Sequence, residues 1–401
     1  MKGKICLAGK SDALVKALQH AISQYPREMI CALPSRSDHP EHTWQYSVSR
    51  FCRDNNIETI TLEQAYSMED LLLISIQYDL ILRPERFRSV RLYNIHFSLL
   101  PAYKGVYPAI WPILNGEVQS GVTLHVIDSG IDTGDVIDQL AVPILLNDTA
   151  RDLYLKCQEA AVIVFKKNLE DLLNKEYVSN PQPSVGSFYY SKNSIDFSNN
   201  KIDLNRTAYQ IHNQVRAFNF REYQMPTLFE RKMFKSEITS VKSKAKAGTV
   251  LHETEKYITV ATIDYDLNIY FDYYDIFFEA CATGNLHDLE AVLHKIPDLS
   301  VTTKEGWTGL IIASHHEHLP VVKKLVENGA DVNSTNYRGT SVLMYAKSSA
   351  ARSGRTDVME YLISKGAKLN WSDHKGRSLL EYAREENNAG VIDFLLKKGA
   401  K

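Results

Sequence analysis

Leu92-Tyr93-Asn94-Ile95-His96-Phe97-Ser98-Leu99-Leu100-Pro101 holds the most information of any stretch in this chain. Residues 92–96 predict a short strand, and its two-residue period puts Asn94 and His96 on the same side. Pro101 cannot donate to a ladder, so the strand must end before it. Upstream, residues 5–8, 29–33, 71–76 and 80–82 predict further short strands, with a helix over 12–24 after the first. Downstream, 121–127 predicts another strand, and 149–173 a long amphipathic helix with Thr149 as its N-cap. Short strands alternating with helices imply βαβ units and a mainly parallel, Rossmann-like α/β sheet. A polar pair at the carboxyl end of a strand in such a sheet is where active sites form.

The whole composition agrees with that frame. The chain has 401 residues, enough for two or three domains. Lys plus Arg is 46 and Asp plus Glu is 48, a net charge of −2. With no basic field, no nucleic-acid or membrane-surface partner is expected. Hydrophobic residues make up 44% and charged residues 23%, an ordinary globular balance. The longest apolar runs fall far short of the ~20 residues that span a bilayer, and residues 5–8 are too short for a signal-peptide core. The five cysteines are scattered, with no Cys-x-x-Cys spacing, which argues against disulfide frameworks and zinc modules. A cytoplasmic protein without a metal is the expectation.

The chain divides into three parts. Residues 1–180 carry the strand–helix alternation. Asn180-Pro181-Gln182-Pro183 is a break, and 181–273 predicts an accessory region with a helix near 204–217 and a β-hairpin of 257–262 with 267–271. From 274 to 401 the sequence repeats itself. Ala280, Ala313, Ala346 and Ala383 are spaced by 33, 33 and 37 residues, and Gly306, Gly339 and Gly376 by 33 and 37. Asn328-Gly329-Ala330-Asp331-Val332-Asn333 is echoed by Lys365-Gly366-Ala367-Lys368-Leu369-Asn370. This period resembles ankyrin repeats, an all-α solenoid of four helix pairs with three fingers between them. The usual Thr-Pro-Leu-His box is altered here to Thr308-Gly309-Leu310-Ile311 and its two echoes, which predicts looser helix starts.

After the strand at 121–127 comes Asp128-Ser129-Gly130-Ile131-Asp132-Thr133-Gly134-Asp135, with Asp132 36 residues beyond His96. Asn94-x-His96, Ser98 to Pro101 and the Gly130 to Gly134 loop together resemble the formyltransferases that use formyl-tetrahydrofolate. Two rivals fail on spacing: Asp128 and Asp132 share one loop and cannot face each other as an aspartic-protease pair, and Gly9-Lys10-Ser11 lacks the first glycine of a P-loop. In such a transferase an amine attacks a formyl carbon and a tetrahedral oxyanion forms. Asn94 and protonated His96 are the candidate donors to that oxygen. His96, with an ordinary pKa of ~6.5, suits the proton transfer. Asp132 orients His96, stabilises the imidazolium or relays a proton. The division of labour between His96 and Asp132 stays open at this stage.

The resemblance implies 10-formyltetrahydrofolate as cosubstrate. It places the pterin along Ser75, Ile76, Gln77 and Tyr78, with Ile127 and Asp128 closing the pocket. Tyr103 to Tyr107, 111–117 and 121–125 look like the nucleotide-sugar branch of the family, and 216–226 resembles the segment by which dTDP-amino-sugar N-formyltransferases hold the nucleotide. Phe188 or Tyr223 could stack a thymine, Asn219 could pair with base or sugar edges, and Arg216, Arg221 or Lys104 could meet the pyrophosphate. The substrate implied is a dTDP-linked 3- or 4-amino-dideoxyhexose destined for lipopolysaccharide O-antigen. A tRNA-acting member would be expected to carry a basic C-terminal domain, which this neutral, repeat-ended chain lacks.

Alternatives remain: a formyltransferase acting on another amine, or a formyltransferase-like scaffold whose repeats bind protein. A homodimer is implied by the family, with the hairpin as its candidate interface. Trp307, at the variable position of a finger, is expected to be exposed there and to mark an accessory ligand or partner site, with Lys304 and Arg338 near it.

Overall fold

The computed structural model describes residues 3–401. They form two compact units: residues up to 41 together with 45–271, and residues 42–44 together with 272–401.

The first unit is built on a seven-stranded sheet. Its strands are β1 (Lys4–Gly9), β2 (Ile30–Pro34), β3 (Glu58–Thr59), β4 (Leu71–Ile76) and β5 (Arg91–His96), then, past a two-residue β6 (Lys104–Gly105), β7 (Gln119–Val126) and β8 (Val136–Pro143). The order is β3-β2-β1-β4-β5-β7-β8. The first five run parallel, and β7 and β8 are antiparallel to their neighbours. All six residues of β4 are buried. A strand that is apolar along its whole length needs cover on both faces. Helices α1 (Ser11–Gln24) and α5 (Ala150–Asn174) pack together over one face. On the other, Cys6, Cys31, Leu73 and Leu92 join Ala65 of α3 (Leu62–Ser67), which follows the short α2 (Val48–Asp54). Thr149 caps α5 as predicted: it accepts the N–H of Asp152, whose carboxylate takes the N–H of Thr149.

One strand prediction fails. Residues 80–82 form no strand. Asp79 accepts the N–H groups of Arg36 and Ser37 at 3.3 and 3.0 Å, which turns the chain away, and Ile81 is 66% exposed. Conversely, β8 escaped notice. It is an edge strand with few buried residues, so its sequence carries no clean alternation.

The same unit carries a second, antiparallel sheet. After α4 (Trp111–Leu114), β9 (Tyr189–Tyr190) and α6 (Ala208–Ala217) come β10 (Thr227–Leu228), β11 (Arg231–Ile238), β12 (Val250–Glu253), β13 (Tyr257–Val260) and β14 (Leu267–Phe271). The order is β10-β11-β14-β13-β12. The predicted hairpin is β13–β14, with Tyr257 opposite Tyr270 and Val260 opposite Leu267. Both of its strands are interior. The open edge is β12, exposed along its whole length. Helix α6 is fixed to this sheet by His212, whose Nδ1 lies 3.0 Å from the hydroxyl of Ser236. Its Nε2–H is donated to the carbonyl of Leu146 at 2.8 Å.

The second unit is four helix pairs: α7 (Tyr274–Thr283) with α8 (Leu286–Leu293), α9 (Gly309–His315) with α10 (Leu319–Glu327), α11 (Val342–Ser353) with α12 (Asp357–Ser364), and α13 (Leu379–Glu385) with α14 (Ala389–Lys397). The four-residue insertion falls in α11, which is correspondingly long. The altered boxes do not loosen the helix starts. Thr308, Ser341 and Ser378 each accept the N–H three residues on, so the hydroxyl keeps the cap that the missing proline would have supported.

Candidate active site

Residues at the carboxyl end of β5 and the start of the β7–β8 connection meet as the sequence predicts. Asn94 and His96 both point from β5 toward the loop that carries Asp132. The amide of Asn94 donates to Asp132 Oδ1 at 3.3 Å. His96 places Nδ1 3.4 Å from Asp132 Oδ2, and its Nε2–H is donated to the carbonyl of Tyr103 at 2.9 Å. The backbone N–H of Gly105 donates to Asp132 Oδ2 at 2.9 Å. Residues 103–105 thus hold both halves of the His96–Asp132 pair.

The sequence reading missed His125. Its β7 position is directly opposite Asn94 in the antiparallel register. Its Nδ1–H is donated to the carbonyl of Val126 at 2.8 Å, which leaves Nε2 to accept from the Asn94 amide at 3.1 Å. That Nε2 also lies 3.6 Å from Asp132 Oδ1. The signal lay in the strand at 121–127, but only the register puts His125 beside Asn94. Gln182 was missed too. Its amide donates to the carbonyls of Asp132 and Gly134 at 2.9 and 2.7 Å and so fastens the loop.

Burial alone would raise the pKa of Asp132, but the charge of His96, the proximity of His125 and the N–H of Gly105 outweigh it. The carboxyl is held well below the usual carboxylate range. At neutral pH it is an anion and a poor proton acceptor. Its φ of +54° is a left-handed conformation that aspartate and asparagine tolerate better than most residues.

The Ser98–Pro101 turn is pinned from below. Thr123, fully buried, donates to the carbonyl of Ser98 at 2.6 Å and accepts from the N–H of Leu100 at 3.0 Å. Gln139 of β8 reaches the carbonyl of Leu100 at 2.9 Å and the Thr123 hydroxyl at 2.8 Å. The Leu100–Pro101 peptide is cis.

The residues expected to line a pterin pocket come together at neighbouring strand ends. Ser75 of β4 is in register with Asn94. Ile76 ends the same strand. Gln77 has φ +58°, and its side-chain carbonyl accepts from Tyr154 at 2.6 Å. Tyr78 and Ile127 pack against the same apolar cluster, and burial beside Asp79 pushes the Tyr78 phenol up to about 12. Asp128 accepts from the N–H of Gly130 and the hydroxyl of Thr133 at 3.1 and 2.7 Å, so one of its oxygens is spent on shaping the loop.

The expected substrate residues fall in two places. Lys104 and Phe188 sit beside the catalytic turn: the Lys104 N–H donates to the Phe188 carbonyl at 2.8 Å, and Phe188 is 53% exposed. Arg221 and Tyr223 lie on the turn after α6. The Tyr223 ring meets Phe220 at 4.8 Å, and Phe220 meets Tyr154 at 5.6 Å, on the Gln77 side. Asn219 donates its amide to the carbonyl of Phe234 at 2.6 Å. Arg216 is not available to a pyrophosphate. It is buried, and its guanidinium is committed to Asn213 and to the carbonyls of Leu145 and Asp148. Its position near the helix end gave no hint that it points inward.

Trp307 differs from its expected exposure. It is partly buried against the repeat core, with ring centroids 5.1 Å from His315 and 4.7 Å from Tyr345. In this chain the large aromatic fills space between neighbouring repeats.

Comparison with known proteins agrees with the geometry. The formyl transferase family matches residues 36–169, the formyl transferase C-terminal domain 194–270, and ankyrin repeats in three copies 277–349. The chain is 39% identical to the N-formyltransferase from Helicobacter canadensis whose crystal structure contains folinic acid and dTDP-3-aminofucose. The match covers 67% of this chain and 100% of that one, with a TM-score of 0.64. It is 41% identical to WlaRD, a sugar 3N-formyl transferase seen with dTDP and 5-N-formyl-THF, over 68% of this chain and 98% of that one, again with a TM-score of 0.64. A methionyl-tRNA formyltransferase of Clostridioides difficile is 28% identical over 278 residues, 65% of this chain and 89% of the relative. The fold is that of a one-carbon transferase. The chain belongs to the formyl transferase family and is an N-formyltransferase whose C-terminal helical repeats are ankyrin repeats. Among the described residues no helix is long and apolar enough to cross a membrane, and no cluster of ligating side chains could hold a metal.

Proposed function

We propose that this protein transfers the formyl group of 10-formyltetrahydrofolate to the amine of a dTDP-linked amino-dideoxyhexose. The observation that carries the substrate reading is Lys104. Among the described residues its ammonium forms no ion pair, and it precedes Gly105, whose N–H holds Asp132. A ligand's diphosphate would meet this cation next to the segment that holds Asp132. The similarity at 39% and 41% to two sugar N-formyltransferases, one with a 3-amino sugar bound and one named for the 3-position, favours dTDP-3-amino-3,6-dideoxyglucose or an epimer over a 4-amino sugar. The product would serve O-antigen assembly.

The formyl donor supplies the carbon under attack and lies along Ser75 to Tyr78 and Ile127 to Asp128. Arg221 and Tyr223 would border the donor side, and Phe188 the acceptor side. His96, with Nε2–H donated to Tyr103, keeps Nδ1 free for the proton leaving the amine. Asp132, held anionic, cannot keep that proton at neutral pH but stabilises it on His96. Asn94, fixed by His125, would turn its second N–H from Asp132 to the oxygen on which charge develops.

The test is purified protein with formyl-tetrahydrofolate and a panel of dTDP-3-amino sugars, dTDP-4-amino sugars and charged initiator tRNA. Formylation of a dTDP-3-amino sugar alone is expected. Formylation of the tRNA alone would overturn the reading.

For the repeats we propose an accessory ligand or partner site around Trp307, His315 and Tyr345. Support comes from the His315 Nδ1, which is buried without a hydrogen-bond partner. Trp307→Ala that leaves every ligand affinity and the oligomeric state unchanged would remove this proposal. A homodimer through the β10–β14 sheet is proposed alongside it, and sedimentation as a monomer at assay concentrations would exclude it.

A further inference from the structure

Two histidines face the two oxygens of one carboxylate. His96 Nδ1 lies 3.4 Å from Asp132 Oδ2, and His125 Nε2 lies 3.6 Å from Oδ1. Each ring has its other nitrogen tied to a backbone carbonyl, His96 to Tyr103 and His125 to Val126. Those bonds fix the neutral tautomers, so each ring turns a lone pair toward Asp132. An incoming proton therefore has two seats of similar geometry, and only the one on His96 serves the transfer.

Local structure aims His125 at this point. The β7–β8 register shifts at this residue: Leu124 faces Asp138, His125 faces Val136, and Ile137 between them is left unpaired. A bulge of this kind bends a strand and re-aims a side chain, often beside an active site. Gly134 closes over the Val126 carbonyl that receives the His125 Nδ1–H, and a Cβ there would lie 1.9 Å from that oxygen. The ring is buried. The titratable groups that face it are Asp132 from the loop and, across the carboxylate, His96 from β5, while β8 sets Val136 opposite it.

Asn94 decides between the two seats. Its amide donates to His125 Nε2 at 3.1 Å and to Asp132 Oδ1 at 3.3 Å. While that N–H fills the His125 lone pair, the ring is closed to a proton, whereas His96 Nδ1 faces the carboxylate. Protonation of His125 reverses the arrangement. Nε2 becomes a donor, repels the Asn94 amide and pairs with Asp132 Oδ1. The amide then loses its anchor, and the carboxylate is drawn from the His96 imidazolium.

We propose that His125 is a positioning residue: its neutral form holds the Asn94 amide in place for the developing oxyanion, and its protonated form shuts the site down. The proposal deepens the transfer reading above and rests on it for the role of Asn94.

Imidazole and side-chain amide NMR of the resting protein tests the link without turnover. On acidification the Asn94 amide signals should move with the same midpoint as the His125 ring. Amide signals indifferent to that titration would overturn the proposal and leave the transfer reading untouched. Kinetics with the acceptor that the substrate panel identifies give a second readout. His125→Gln keeps an acceptor where Nε2 stands and cannot be protonated, so its kcat on the alkaline plateau should stay within severalfold of wild type. His125→Leu should lower kcat by about tenfold or more with KM little changed, short of the ~10²–10³ of losing an oxyanion donor outright. In wild type the first proton is shared by the two rings and a second follows, so the acid limb of log(kcat/KM) should steepen beyond first order. In His125→Gln only His96 is left to titrate, and the limb should stay first order. Equal kcat losses in the Gln and Leu variants, or acid limbs of the same order in wild type and His125→Gln, would overturn the positioning role. The NMR titration and His125→Gln carry the test even where His125→Leu does not fold. Amide signals that follow the ring in a protein that formylates no dTDP-amino sugar would remove the transfer reading and leave the coupling standing.

Discussion

His96 Nδ1 lies 3.4 Å from Asp132 Oδ2, while the opposite ring nitrogen of His96 is already tied to the carbonyl of Tyr103. With Nε2 protonated for that bond, the neutral ring faces the carboxylate with a lone pair. A proton arriving at Nδ1 turns this contact into a hydrogen-bonded ion pair. In the proposed mechanism this geometry divides the roles that the sequence left open: His96 would take the proton and Asp132 would hold it there.

Removing either partner should stop the chemistry and spare the fold. His96→Asn and Asp132→Asn are each expected to lower kcat by at least about a hundredfold, the lower end of general-base contributions. Asparagine suits position 132 because it also tolerates the φ of +54° found there. Both variants should keep a cooperative thermal transition. Near-normal turnover in either would remove the assignment of the pair.

The depressed pKa of Asp132 also makes a prediction about acid stability. The unfolded carboxyl titrates near ~3.9, and the folded one lower, so the stabilising contribution is complete at neutral pH. It is lost only as the pH falls through the ordinary carboxylate range toward the folded value. The stability gap between wild type and Asp132→Asn should be flat from pH 7 to about 5 and narrow below about 4. Urea unfolding across that range reads it directly. A gap that widens on acidification would contradict the direction of the shift.

Thr123 is the hidden support of the Ser98–Pro101 turn. Its hydroxyl serves a carbonyl, an N–H and a side-chain amide while fully buried. Thr123→Val keeps the shape and strands those partners. The expected cost is about 1–3 kcal/mol of stability, with a loss of kcat because the turn leads directly into Tyr103 and the His96 contact. Thr123→Ser should recover most of both. A Val variant as stable as wild type in denaturant would show that the turn stands without this hydroxyl.

What the sequence revealed and what it hid follow from range. Asn94, His96 and Asp132 were legible because two sit in one strand at a two-residue spacing and the third in a glycine-marked loop. The repeats were legible because each finger restates the last. His125 was not, since its place beside Asn94 exists only through the register of β5 with β7. Edge strand β8 was hidden for want of a buried face, and Arg216 misled because its helix-end position resembles a solvated one although its partners lie in the 145–148 loop. Such contacts are set by tertiary packing that no local pattern encodes.

His212 tests whether that packing is read correctly. Burial, aided by the nearby Arg216 charge, pushes its pKa below the ordinary histidine value despite its bonds to Leu146 and Ser236. The unfolded chain accepts a proton at about pH 6.5, whereas the folded one resists, so stability must fall as the pH drops below that point. His212→Gln should be less stable at pH 7.5, having lost at least one of two buried hydrogen bonds, at about 1–3 kcal/mol. It should then lose less on going from pH 7 to 5.5, because one proton-linked group is gone. Urea midpoints of the two proteins at several pH values give both quantities. An identical pH slope in wild type and variant would mean that His212 titrates alike folded and unfolded, and that the contact of α6 with β11 and the 145–148 loop is looser than these hydrogen bonds require.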